Sequence, residues 1–268
     1  MQSSRAITLL LVVVMLTAGC LGGGGGAVSD AMADAEAGAA GGDGAGPGAD
    51  GPDLTNPETV LRDAGSFTVS WRYTGVDESG VRTEVHHDYY ADLDAERSLS
   101  VTSSSRDGQS DGGSSEQFVA DGTTYIRTGS ADAATYGSYP GTADVVGTAI
   151  GLSQARAYGT NDDMANRGTE TFDGVTVTRY ELTEASSQLI QAGSAATSGS
   201  AGVAEITDFH YVVLVDENGV SRYESWSFTG RTQEGQQVSG EWEYALTGVG
   251  STTVDDPEWL AAARAATA

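Results

Sequence analysis

Phe67-Thr68-Val69-Ser70-Trp71-Arg72-Tyr73-Thr74 is the stretch that sets the fold class. Apolar and polar residues alternate through it with a period of two, as a strand with one covered face and one wet face requires. Phe67, Val69, Trp71 and Tyr73 point to one side, and Thr68, Ser70, Arg72 and Thr74 to the other. Reading outward, Asp77-Glu78-Ser79-Gly80 turns the chain into a second strand, Val81–Asp92, and Leu99 and Val101 mark a third. Gln117–Ala120, Asp121-Gly122 and Thr123–Arg127 form a hairpin with the Asp-Gly pair expected of a type I′ turn. Thr169–Phe172, Asp173-Gly174 and Val175–Thr183 repeat that form. The last three predicted strands are the strongest: Glu205–Val215, Val220–Thr229 and Val238–Thr247, the first two joined by Asp216-Glu217-Asn218-Gly219.

Helical signals are few. Thr55 or Asn56 can cap a short helix with Pro57 at its first position, Val60 and Leu61 as apolar residues and Gly65 as its end. Thr142–Tyr158 carries Val145, Val146, Ala149, Ile150 and Leu152, although Gly147 and Gly151 weaken it. Glu184–Ala196 carries Leu189 and Ile190 and then dissolves into Ser, Gly and Ala. Near the C-terminus Asp256 is the expected cap, Pro257 the first helical residue, and Trp259 and Leu260 the docking residues. The pattern is α+β, mainly β, with an antiparallel sheet.

Charge narrows the chemistry. The 268 residues include 38 acids and 13 basic residues, a formal net charge of −25, and every basic residue is Arg. Without lysine there is no phosphate-binding P-loop, Schiff base or Ser-Lys hydrolysis. A field this negative repels phosphate backbones, so no nucleic-acid partner is expected. Molar salt screens repulsion between carboxylates to within a few Å, and the acidic composition resembles that of haloarchaeal proteins exposed to brine.

The N-terminus carries an address. A single charge, Arg5, precedes the apolar run Ala6–Leu16, which is short for a bilayer span and suits the h-region of a signal peptide over residues 1–19. The run ends in Leu16-Thr17-Ala18-Gly19-Cys20, which resembles a lipobox. Cys20 is the one cysteine, so an intramolecular disulfide is excluded, and thioether lipidation accounts for a lone thiol followed by a glycine run. Two hydrocarbon chains there would anchor the protein stably to the membrane, at its extracellular face. Residues 20–53 then read as the lipidated cysteine and a disordered acidic Gly/Ala-rich tether. A flexible chain of that length spans roughly 30 Å. Residues 54–268 are left as a single domain.

Catalytic patterns are weak, and no enzyme activity, cofactor or metal is expected. His86 and His87 are adjacent in a strand and face opposite ways, and His210 lies in another alternating strand. Gly108-Gln109-Ser110-Asp111-Gly112 fits a nucleophile elbow by letter, but that motif needs a strand before it and a helix after it, so a loop is expected. Gly46-Pro47-Gly48-Ala49-Asp50-Gly51 fits a dinucleotide fingerprint by letter with no βαβ unit around it. Asp162-Asp163 and Asp255-Asp256 read as solvated loop and cap residues.

The aromatics are the one suggestive constellation. Trp71 and Tyr73, Trp226 and Phe228, and Trp242 and Tyr244 are each spaced by two, so each pair shares a face of its strand. Neighbouring strands would bring six rings onto one sheet face, either as ordinary core or as the wall of a site for an apolar ligand. A sugar-stacking platform and a structural or interaction module of the envelope are the alternatives.

The order of leader, tether, short helix, long meander, helical insert and C-terminal meander resembles the LolA/LolB and LppX/LprG-like lipoprotein carriers. Phe118-Val119-Ala120-Asp121-Gly122-Thr123-Thr124-Tyr125 and Phe172-Asp173-Gly174-Val175 carry the resemblance. It is also similar to uncharacterised haloarchaeal surface lipoproteins of like layout. The resemblance implies a curled half-barrel sheet, a few helices on its concave face, and a binding module for a lipid or isoprenoid.

Overall fold

The computed structural model describes residues 51–54, 57–130, 132–141, 144–153, 164–182 and 203–266. The predicted leader, Cys20, most of the tether, the Thr55/Asn56 cap, Asp162-Asp163 and the Glu184–Ala196 segment lie outside them. All described residues belong to the unit Pro47–Ala268.

Eleven strands form one antiparallel sheet. They are β1 (Ser66–Val76), β2 (Arg82–Asp92), β3 (Arg97–Arg106), β4 (Gln109–Ala120), β5 (Thr123–Gly129), β6 (Thr135–Pro140), β7 (Ala165–Phe172), β8 (Val175–Leu182), β9 (Val203–Asp216), β10 (Ser221–Thr232) and β11 (Gln237–Thr247). The order β6-β5-β4-β3-β2-β1-β11-β10-β9-β8-β7 joins two sequential meanders through one long-range pair, β1 with β11. The sheet is open, with β6 and β7 as its edges. The expected class holds: mainly β, one antiparallel sheet left unclosed as a half-barrel, and few helices.

Local chemistry accounts for the hairpins. Asp121-Gly122 and Asp173-Gly174 both have positive φ at both positions, the left-handed pair that a two-residue turn with the strands' own twist demands. Asp107-Gly108, with φ of 49° and 75°, is a third such turn between β3 and β4. The expected loop at Gly108–Gly112 is therefore turn and strand, with Ser110 paired to Ser105. β6 is a further strand with no apolar alternation to announce it.

Among the described residues there are three helices: α1 (Glu58–Ala64), α2 (Val145–Leu152) and α3 (Leu260–Ala266). α1 starts one residue after Pro57, which occupies the cap position, and ends at the left-handed Gly65. α2 is shorter than the predicted Thr142–Tyr158; Asp144 caps it by accepting the Gly147 N–H, and the extended Ser153 ends it. Leu61, Val146 and Ala149 of α1 and α2 pack into the main core beside Phe67, Val69 and Leu246. α3 packs on the opposite face, where Leu260 and Val254 cover Phe118 and Ala120. Asp256 pairs with Arg97 rather than capping α3, and the same guanidinium donates to the Val254 carbonyl. The Trp259 indole N–H donates to Glu116 at 2.6 Å, so Trp259 and Leu260 dock as expected.

Candidate functional site

Register places all six predicted rings on one face. Trp71 lies opposite Tyr244 and Tyr73 opposite Trp242 across β1 and β11. Trp242 in turn lies opposite Trp226 across β11 and β10. Directly opposed residues of an antiparallel pair project to the same side, so one row runs Leu182, Tyr211, Trp226, Trp242, Tyr73, Val85. The rings touch: Trp226 and Trp242 centroids are 6.4 Å apart at 17°, Trp242 and Tyr244 6.2 Å at 19°, and Tyr73 and Trp226 6.2 Å at 60°.

Two glycines give the rings room. Gly75 and Gly240 face each other across β1 and β11. A Cβ on Gly240 would come within 2.6 Å of Phe228 Cε1, and one on Gly75 within 2.3 Å of the Tyr73 hydroxyl. The rings therefore lie over bare backbone instead of standing off it.

The six are not equivalent. Trp226, Phe228, Trp242 and Tyr244 are each 5 % exposed or less and belong to the packed core. Trp71 and Tyr73 are half-buried at its margin. Burial raises the Tyr73 hydroxyl above its ordinary pKa; it raises Tyr244 further, with the nearby Glu224 charge adding to the effect. Beyond β2, whose Tyr89 and Ala91 still belong to the core, the face changes character, since β3 and β4 present Ser100, Thr102, Ser115 and Gln117 where β8 to β10 present Leu182, Tyr211 and Trp226. Trp71 and Tyr73 lie one strand in from that boundary. Arg72 and the acids of β11 alternate outward: Arg72 opposes Glu243 and Thr74 opposes Glu241 on the other face.

Two residues of this face were not singled out by the sequence as ligand contacts. His87 is in phase with Tyr89 and Val85, stacks on Trp71 at 6.2 Å, and holds Thr102 Oγ1 at 2.7 Å through Nδ1. Glu224 is in phase with Trp226 and Phe228 and is completely buried. Its carboxylate accepts the hydroxyls of Ser153 and Ser221. A charge inside an apolar alternating row was the available signal for Glu224, and phase with flanking rings was the signal for His87. Next to the serines that hold Glu224, a cavity of about 40 Å³ is lined by Leu61, Ile150, Ser153, Val220, Ser221 and Tyr244, among others. That is room for one or two waters, not for a ligand chain.

The other sequence candidates scatter. His86 faces away from the rings, opposite Arg72, and His210 sits on that outer face 4.0 Å from Glu181. Among the described residues no group of three or more His, Cys, Asp or Glu side chains converges on a metal-sized position.

A family model described as a family of unknown function (DUF7537) matches residues 5–263. The chain belongs to that family. No curated protein matches this DUF7537 member. Among solved structures it is similar to LprF from Mycobacterium bovis, with 13% identity, 78% of this chain and 98% of that one covered, and a TM-score of 0.35. It is also similar to a beta-barrel-like protein of a domain of unknown function, DUF1849, from Brucella abortus, with 12% identity, 72% and 83% covered, and a TM-score of 0.26.

Proposed function

We propose that this protein is a non-enzymatic binding module for an apolar ligand such as a lipid or isoprenoid, tethered by a lipid on Cys20 to the extracellular face of the cell membrane. The observation that carries the reading is the half-buried Trp71–Tyr73 pair at the margin of an otherwise buried set of rings. Apolar chains gain about 0.8 kcal/mol per buried methylene, so a ligand lying across two such rings and the adjoining wall reaches useful affinity after association costs. The tether would let the module reach roughly 30 Å from the membrane, toward lipids or envelope components.

A second reading, an interaction module of the envelope, is favoured by the tight packing of Trp226, Phe228, Trp242 and Tyr244, each 5 % exposed or less. Tryptophan fluorescence separates the two. The protein is titrated with an isoprenoid or acyl probe in molar salt, wild type beside Trp71→Ala. Saturable quenching in the micromolar range, weakened severalfold by the substitution, is expected. No saturable response to any apolar probe would leave the interaction module as the better reading. Trp71 is the residue to test because Trp226→Ala would empty a buried site and cost roughly 3–5 kcal/mol of stability.

A further inference from the structure

His87 is held as a polar group inside the aromatic face. Its imidazole stacks between Trp71, at 6.2 Å and 25°, and Tyr89, at 6.4 Å and 13°. Nδ1 is committed to the Thr102 hydroxyl. Nε2 has no access to solvent and, among the described residues, no hydrogen-bond partner. A buried ring nitrogen left without a partner calls for an explanation, since such groups are nearly always satisfied.

We propose that His87 Nε2 is the anchoring point for the hydroxyl group of an apolar alcohol whose chain lies across Trp71 and Tyr73; the inference rests on the binding reading above. The chemistry selects the class. Burial holds the imidazole below its ordinary pKa and so in the neutral form, which donates from one nitrogen and accepts at the other. A hydroxyl both donates and accepts, so it satisfies Nε2 in either tautomer. An anionic headgroup would need a positive charge, but Arg72, the arginine of β1, points to the other face. The rows next to His87 continue as Thr102 and Ser115, neutral hydroxyls that suit the same end of an amphiphile.

The test compares farnesol with the matching terpene hydrocarbon, in molar salt, on the full-length chain carrying Cys20→Ser so that no acyl chain competes. Tryptophan quenching gives the two dissociation constants, and the ¹⁵N shift of His87 Nε2 reports the contact directly. Wild type should bind the alcohol about tenfold more tightly than the hydrocarbon. His87→Phe, which keeps a ring in the stack, should lose that preference. In wild type the Nε2 resonance should move with farnesol and stay with the hydrocarbon, a readout that needs no variant to fold. Equal affinity for both probes, a preference that survives His87→Phe, or an unmoved resonance would overturn the anchor and leave apolar binding standing. No saturable binding of either probe would overturn the binding reading itself.

Discussion

Asp216 and Arg222 pin the turn that delivers β10, and with it Trp226, to the sheet. Asp216 Oδ1 accepts the backbone N–H groups of Asn218 at 2.9 Å and Val220 at 3.0 Å, while Oδ2 accepts Arg222 Nε at 2.7 Å. The two side chains are 3 % and 8 % exposed. Asp216→Ala removes all three bonds and leaves the guanidinium buried without its counter-charge. Removing one partner of a buried pair costs about 3–5 kcal/mol. For a domain of this size each kcal/mol lowers Tm by about 2–4 °C, so a fall of roughly 6–20 °C is expected. Salt reaches a buried pair poorly, so molar salt should not restore the loss. Thermal melts followed by circular dichroism in molar salt measure it, with Asp216→Ala/Arg222→Met as the companion. The double variant should recover part of the stability, because it removes the unpaired guanidinium while the turn bonds to Asn218 and Val220 stay lost. A drop below about 1 kcal/mol in the single variant, or a double variant no more stable than it, would refute the reasoning.

Three further outcomes are expected. The net charge of −25 should make the fold salt-dependent, with Tm climbing as salt rises from dilute buffer to molar concentration; a flat profile would count against adaptation to brine. Burial raises the Tyr89 hydroxyl to about 12, and Tyr244 shifts the same way. Their neutral forms therefore contribute stability that is full below the unfolded pKa near 10 and is lost as pH rises toward 12, so the ultraviolet tyrosinate titration should show late-ionising tyrosines coupled to unfolding. Ionisation of every tyrosine near pH 10 with the fold intact would contradict that burial. Cys20→Ser should shed the protein into the medium or stall it as uncleaved precursor; membrane-bound protein at the mature mass would mean a different anchor.

Much of the sheet could be read locally. Asp121-Gly122 and Asp173-Gly174 sit between alternating segments, so turn chemistry and binary pattern agree, and both hairpins form where expected. The Asp107-Gly108 turn uses the same chemistry but escapes notice because its flanks, Ser103-Ser104-Ser105 and Gln109-Ser110, are polar on both faces and show no alternation. β6 is hidden for the same reason, and it ends at Pro140 on a sheet edge, where a missing N–H costs no ladder bond. α2 ends sooner than its apolar pattern suggests, at Ser153, whose backbone is extended and whose hydroxyl turns to the buried Glu224.

The sequence by itself determined the strands that alternate, the turns between them and which side chains share a face within each, because these follow from a period of two and from the left-handed conformation that Asp-Gly accepts. Tertiary structure decided which faces meet. The pairing of β1 with β11 joins residues more than 160 positions apart, sets Trp71 against Tyr244, and turns three separate ring pairs into one surface. It also separated buried rings from half-buried ones and placed His87 beside Trp71 with one nitrogen unpartnered. Local sequence specifies the orientation of a side chain relative to its own strand. Its neighbours come from a long-range contact whose loop-closure cost is met only when the whole apolar face is buried together.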